Sequence, residues 1–185
     1  PTNIQAFLAN YVNKISIYVD CFINIIIRPS TVYGPCYDET SRLMSNFVVN
    51  ALRGDDLKIY GDENKTLDFT YVEDFVDGIM LSMKKWNEDY NISGEDEVKI
   101  SDVADEIIAQ TKSKSKIKFL LPELAQPQKV KINIEKIRAL GYNPRVKMKE
   151  GISNMVSWYV AHPDAWKNYV DVGEKYYKGP EKVTS

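Results

Sequence analysis

The residues of this chain best suited to chemistry gather in one phrase, Arg28-Pro29-Ser30-Thr31-Val32-Tyr33-Gly34-Pro35. A β-branched run leads into it, so the phrase reads as a strand entering a loop. In open α/β sheets, the loops beyond the carboxyl ends of strands form the ligand crevice. A strand followed at once by Ser, Thr, Tyr and Gly brings hydroxyls and bare backbone to a bound molecule. The competing reading is a turn stiffened by two prolines. Other reactive groupings are scarce. No G-x-G-x-x-G follows an opening strand, and no G-x-x-x-x-G-K-[ST] loop is present to cradle phosphates. The one histidine, His162, precedes Pro163 near the end of a predicted helix, where it reads as a helix-end cation or a surface residue. Ser-His-Asp chemistry therefore lacks its constituents. Glu73 and Asp74 open another predicted helix, and interaction with its dipole accounts for both without a catalytic role.

Composition narrows the classes further. The 185 residues suit one well-buried domain, and 44% hydrophobic with 27% charged residues is ordinary globular composition. Lys+Arg 24 against Asp+Glu 26 leaves a net charge of -2, so no basic excess suggests a nucleic-acid partner. Two cysteines, Cys21 and Cys36, make no disulfide framework, and no Cys/His cluster surrounds them to hold zinc. A reducing, cytoplasmic setting is expected. The apolar run from Phe22 to Ile27 is broken by Asn24 and too short to span a bilayer. No secretory signal pattern is expected, and Pro1 in place of Met suggests that upstream sequence is missing or removed.

The elements that must position the phrase follow from periodicity. Residues 4–18 place Ile4, Phe7, Leu8, Tyr11, Val12 and Ile15 at helical spacing, and Phe22 to Arg28 reads as a buried strand. Ser30 to Thr40 reads as loop. Residues 41–53 predict a helix stopped by Gly54. Leu57–Tyr60 and Leu67–Tyr71 predict short strands around the turn at 61–64. A helix from Glu73 to Trp86 is expected to turn Phe75, Val76, Ile79, Met80 and Met83 inward. Tyr90–Ile92 and Ile117–Leu120 read as strands, and Ser101 as the N-cap of a helix through Gln110. Asn133 is expected to cap a short helix ending at Gly141, and a final helix covers 148–161. Beyond Gly173 the chain is charged and expected to be loose. The pattern indicates a partial α/β architecture.

The opening phrase resembles the R-P-x-N-V-Y-G-P element of the extended short-chain dehydrogenase/reductases of the NAD-dependent epimerase/dehydratase family, which act on nucleotide sugars. Further phrases follow in the family's order. They are Arg42-Leu43-Met44-Ser45-Asn46-Phe47, Ala51-Leu52-Arg53-Gly54, Leu57-Lys58-Ile59-Tyr60-Gly61-Asp62 and Asp68-Phe69-Thr70-Tyr71-Val72-Glu73-Asp74. Then come Pro127-Gln128-Lys129, Leu140-Gly141 and Glu150-Gly151-Ile152. The wording is nearest to UDP-glucuronate decarboxylases and UDP-glucose 4-epimerases.

This resemblance implies a partial Rossmann-like fold. Residues 1–35 would be a remnant of the dinucleotide-binding domain, 36–172 a mixed α/β substrate-binding lobe, and 173–185 a tail. It implies NAD as cofactor and a nucleotide sugar as substrate, with neither nucleic acid nor membrane as partner. Pro29 and Val32 would approach the nicotinamide, and Thr31 and Tyr33 the sugar. Arg42 and Asn46 would cover the diphosphate and ribose. Leu57, Ile59 and Tyr60 would flank the base, with Leu67 and Lys129 beside the diphosphate.

The chain also departs from the family's pattern. The catalytic Y-x-x-x-K would fall near Thr2 and Ala6, which do not fit, so no residue is assigned a catalytic role. Thr31 replaces the usual Asn. Leu67 replaces a common Arg, and the nearby Lys65 is no substitute for a bidentate guanidinium. The expected protein is an epimerase/dehydratase/decarboxylase-type chain without its cofactor-binding half and not catalytic alone. It would self-associate or join a complementary amino-terminal chain. The alternatives are a non-catalytic scaffold of the same descent and a related carbonyl reductase.

Without a Gly-rich turn at a helix amino terminus, the chain has no cradle for a dinucleotide pyrophosphate. Calorimetric titration with NAD should show no binding tighter than about millimolar, roughly -4 kcal/mol. A micromolar constant would contradict this.

Overall fold

The structure is a computed structural model that describes residues 15–16, 24–36, 38–39, 42–94, 97–122 and 129–168. Its organising feature is one extended segment used by two sheets. Strands β2 (Ile25–Pro29) and β3 (Thr31–Tyr33) are separated only by Ser30. β2 runs parallel to β6 (Glu88–Ile92), whereas β3 runs parallel to β5 (Thr66–Tyr71). β1 (Ile15–Ser16) lies antiparallel on the other side of β2, and β7 (Glu97–Lys99) lies antiparallel to β5. A third, two-stranded sheet pairs β4 (Leu57–Tyr60) in parallel with β8 (Ile117–Leu120).

The crossover at Ser30 is held by backbone and side chain together. The Ser30 N–H donates to the Ile92 carbonyl at 2.9 Å, and the Gly94 N–H donates to the Phe69 carbonyl at 3.2 Å. The hydroxyls of Ser30 and Thr70 hydrogen-bond to each other. A Cβ on Gly94 would lie 2.3 Å from the Phe69 oxygen, so only glycine lets β6 leave its sheet across β5.

Among the described residues five α-helices pack on these sheets: α1 (Leu43–Arg53), α2 (Val72–Ser82), α3 (Ile100–Thr111), α4 (Glu135–Arg138) and α5 (Met148–Ala161). α1 ends as expected on Gly54 in the left-handed conformation, φ 79°. Ile25, Ile27, Phe47, Val48, Leu57, Phe75, Tyr90, Ile107 and Ile152 share one continuous core, so the two ends of the described chain are not separately packed. Tyr33 sits within it, its ring edge-on to Tyr71 at 5.7 Å between centroids. Gly151 of α5 passes directly over that ring, where an added Cβ would come 2.3 Å from the Tyr33 hydroxyl.

Two buried carboxylates bind the later chain to the sheets. Asp74 accepts the backbone N–H groups of Arg145 and Val146, both at 3.0 Å. Asp68 accepts the Ile132 N–H at 3.1 Å and the Ser93 hydroxyl. Tyr142 donates its hydroxyl to the Ser93 carbonyl at 3.1 Å. Asp74 is therefore an acceptor for an adjoining segment, which answers its burial at the start of α2.

Several expectations from periodicity are corrected. Ile15–Ser16 is strand, because pairing with Ile26 and Ile27 overrides the helical spacing; the rest of the helix expected over 4–18 lies outside the described residues. Thr31–Tyr33 is strand where loop was expected, since β5 supplies its hydrogen bonds. Leu57–Tyr60 and Thr66–Tyr71 do not form a hairpin with each other. α2 ends at Ser82, and Met80 and Met83 are 62% and 37% exposed. Gly78 lies so close to Ile92 that α2 buries Phe75, Gly78, Ile79 and Ser82, which turns the methionines outward. α3 begins two residues early, with Lys99 as its N-cap, so Ser101 is in its first turn and its hydroxyl reaches the Glu63 carbonyl at 3.4 Å. The N-cap of α4 is Ile134, and Asn133, one residue earlier, accepts the Glu135 N–H at 2.9 Å. The expected tail beyond Gly173 lies outside the described residues.

Gly94→Ala should lower stability by about 1–3 kcal/mol through overpacking at the crossover. Urea denaturation checks this, and an unchanged midpoint would mean that β5 and β6 can part without cost.

Candidate functional site

The carboxyl end of β4 and the beginning of β5 meet through Tyr60 and Lys65, and the reversal between α1 and β4 turns the amino end of α1 toward the same side, the rim. α1 and β4 are joined by residues 54–56 alone, so the chain reverses and Tyr60 comes back toward the Arg42 end. Arg42 precedes α1 with extended backbone and does not cap it through its side chain. Its guanidinium lies 3.7 Å from the Asp38 carboxylate. Burial pushes the Asp38 carboxyl above its ordinary value, and the Arg42 charge opposes that shift. One turn into α1, Asn46 accepts the Asn50 amide at 2.9 Å.

At the other side of the rim, Lys65 is buried and donates its ammonium to the Tyr60 carbonyl at 2.9 Å. Thr66 bridges Lys129 in parallel fashion. The Thr66 hydroxyl donates to Glu97 at 2.6 Å, and the exposed Lys129 ammonium stands 3.1 Å from the same carboxylate oxygen. The Thr66 hydroxyl and Lys129 thus hold Glu97 below the usual carboxylate range. On the rim Arg42 faces Asp38 and Lys129 faces Glu97, while the Lys65 ammonium is held by the Tyr60 carbonyl. Such a set can exchange its internal ion pairs for an anionic ligand.

The structure sorts the sequence-predicted site residues into rim and core. Arg42, Asn46, Tyr60 and Lys129 are at least partly accessible. Pro29 and Thr31 are half-buried at the crossover. Val32 and Tyr33 are buried, and Tyr33 packs against Phe69, Tyr71 and Gly151. Leu57 and Ile59 are also core residues, because strand alternation turns Lys58 and Tyr60 to the opposite face. Leu67 is half-buried, shares the face of Phe69 and Tyr71 and packs against the core. Lys65 is committed to Tyr60.

Sequence reasoning missed Asp38, Thr66 and Glu97. Asp38 stands four residues before Arg42, a spacing that could have suggested a pair. Glu97 reaches Thr66 only through the β5–β7 pairing, which no local pattern announces.

A second, open concavity of about 590 Å³ lies between α3 and α5, lined by Gln110, Lys147, Lys149, Glu150, Ser153 and Asn154. Among the described residues no group of three His, Cys, Asp or Glu side chains could hold a metal ion. Nor is any described helix long and apolar enough to cross a membrane.

Comparison with known proteins places these features in context. Residues 19–93 match the NAD dependent epimerase/dehydratase family. The chain is 33% identical over 160 residues to dTDP-glucose 4,6-dehydratase 1 of Escherichia coli K12, covering 80% of this chain and 44% of that protein. It is 32% identical over 145 residues to the UDP-N-acetyl-alpha-D-glucosaminuronate decarboxylase of Bacillus cytotoxicus, covering 72% and 45%. Among solved structures, the dTDP-glucose 4,6-dehydratase of Bacillus anthracis in complex with NAD is 30% identical with a TM-score of 0.70, over 77% of this chain and 46% of that one. The UDP-glucuronic acid 4-epimerase of Bacillus cereus, solved with UDP-glucuronic acid and NAD, is 25% identical with a TM-score of 0.69, over 74% and 45%. The chain thus spans less than half the length of these relatives. The likeness confirms the expected Rossmann-like α/β fold.

The raised Asp38 value has a consequence with a definite sign. A carboxyl whose folded pKa exceeds its unfolded value of 3.8 costs stability as pH rises through that interval, and the cost persists above it. Asp38→Asn removes the titration. The melting temperature of Asp38→Asn relative to the parent should therefore climb as pH rises from 3 to neutrality. A pH-independent difference would contradict the assignment.

Proposed function

We propose, taking this chain as a partial member of the NAD dependent epimerase/dehydratase family, that it is the carboxy-terminal, substrate-binding part of a protein acting on a nucleotide sugar. The observation that carries the reading is the Arg42/Asp38 and Lys129/Glu97 rim, two exchangeable ion pairs in a fold shared with sugar-nucleotide enzymes. In that reading, residues up to about 35 belong to the cofactor-binding side and residues from about 36 to the substrate lobe.

Each side chain has a definite part. A diphosphate entering the rim takes the Arg42 guanidinium from Asp38 and the Lys129 ammonium from Glu97, and the first-turn N–H groups of α1 face it. Asn46 offers its amide to the ribose, and Tyr60 presents its ring to the base. Thr31, at the crossover, approaches the sugar, with Pro29 on the cofactor side of the same segment. NAD, when bound by a complete protein, supplies reversible hydride acceptance from the sugar. This chain binds and orients the substrate. None of its described residues is assigned to proton transfer.

Because Asp38 and Glu97 hold the two cations in the free chain, UDP binds weakly. Arg42→Ala should reduce the remaining affinity by about tenfold or more, in line with roughly 1.5–3 kcal/mol for a charge-assisted hydrogen bond. Leu67→Arg should lower the melting temperature without tightening UDP, since it places a charge on the core face. Calorimetry and thermal melts decide both. UDP affinity unaffected by Arg42→Ala would sink the rim as the diphosphate site. A stable Leu67→Arg protein that binds UDP more tightly would overturn the placement of Leu67.

A further inference from the structure

We propose that Lys65 is a positioning residue for nucleotide recognition: its buried ammonium, bonded to the Tyr60 carbonyl, holds the end of β4 so that the Tyr60 ring meets a base, and the rim thereby prefers a nucleoside diphosphate to bare pyrophosphate. The inference rests on the reading of the rim as a nucleotide-sugar site and deepens it.

The placement of Lys65 is costly. A lysine in a turn ordinarily leaves its ammonium in water and lays only its stem on the protein. Residues 62–64 do stay exposed, yet Lys65 is only 5% exposed. Closing the turn does not require that ammonium. The Lys65 N–H donates to the Asp62 carbonyl at 3.2 Å, and the Asn64 N–H donates to the Asp62 carboxylate at 2.8 Å. Neither bond involves the Lys65 side chain, whose 2.9 Å bond to the Tyr60 carbonyl acts elsewhere.

The phase of β4 shows what that bond holds. The Leu57 N–H donates to the Lys116 carbonyl at 2.9 Å, and the Gly61 N–H donates to the Leu120 carbonyl at 3.1 Å. Backbone groups alternate sides along a strand, so Leu57, Ile59 and Gly61 face β8 and the Tyr60 carbonyl points to the other edge. Gly61 follows at φ 125°, and glycine has more backbone states than any other residue. The ladder alone therefore fixes the peptide between Tyr60 and Gly61 poorly. The Lys65 stem crosses Gly61, where an added Cβ would come 3.1 Å from Lys65 Cδ, and its ammonium locks that peptide. The Lys65 carbonyl accepts the Ile100 N–H at 3.0 Å, which anchors the lysine to the start of α3.

Tyr60 is the rim residue whose direction depends on this lock. It is half-buried, on the face of β4 opposite Leu57 and Ile59. Arg42 and Lys129 would meet phosphate through their own side chains, which pair with Asp38 and Glu97. Loss of the Lys65 ammonium should weaken the contact to a base and spare the contacts to phosphate.

Calorimetric titration of the whole chain with UDP and with inorganic pyrophosphate tests this. Lys65→Met, which keeps an apolar stem, should weaken UDP at least about fivefold, the scale of losing an aromatic ring against a base, and leave pyrophosphate within about twofold. Tyr60→Ala should do the same, and the double variant should bind UDP no more weakly than either single one. Arg42→Ala should weaken both ligands. Equal losses for the two ligands in Lys65→Met, no loss for either, or additive losses in the double variant would overturn the role of Lys65 and leave the rim standing. A parent that binds neither ligand would overturn the rim and this inference with it. Should Lys65→Met fail to fold, backbone amide shifts of the parent decide. Tyr60, Gly61 and Lys65 should respond to UDP and not to pyrophosphate; an equal response to both would overturn the proposal.

Discussion

One constraint underlies the arrangement: a single extended segment, residues 25–33, must serve two sheets and change partner at Ser30. β2 takes its hydrogen bonds from β6, and β3 takes its own from β5. For the switch to work, β6 must cross β5 at close range, which the Gly94 N–H and the Phe69 carbonyl accomplish at 3.2 Å. No side chain could be tolerated at that point. The hydroxyls of Ser30 and Thr70 and the carboxylate of Asp68 satisfy the polar groups that the crossing would otherwise strand in the interior. The geometry therefore fixes where the chain changes layer, and with it where a crevice opens beyond the strand ends.

Everything placed on the rim follows from this crossing and from two carboxylates that act as fasteners. Asp68 and Asp74 each accept backbone N–H groups from the segment between Ile132 and Val146, some 64 to 72 residues later in sequence. That fastening sets the segment containing Lys129 beside the start of β5, where Thr66 bridges it. The charges that could meet a diphosphate are thus positioned by hydrogen bonds, and in the free chain each is neutralised locally by Asp38 or Glu97. A ligand must displace those carboxylates, which trades affinity for a rim that is stable when empty.

The sequence made the elements legible wherever local chemistry decided them. Gly54 stops α1, Asn133 accepts the Glu135 N–H just ahead of α4, and α5 spans 148–161 as its periodicity predicts. What was not legible depended on partners far away in the chain. Thr31–Tyr33 is a strand only because β5 lies beside it, and Met80 faces outward only because Gly78 draws α2 onto Ile92. Of the residues assigned by resemblance, Arg42, Asn46, Tyr60 and Lys129 lie on the rim. Val32, Leu57, Ile59 and Leu67 pack in or against the core, since a phrase does not reveal which strand face is buried.

Mapping backbone amide shifts of the chain during titration with UDP tests the rim most directly. The account predicts graded, saturable changes concentrated at Arg42 to Asn46, Tyr60, Lys65 to Leu67 and Lys129, with the crossover residues Ser30 and Thr31 moving less. Shifts confined instead to Gln110, Glu150 and Asn154, or no saturable shifts at millimolar UDP, would contradict it.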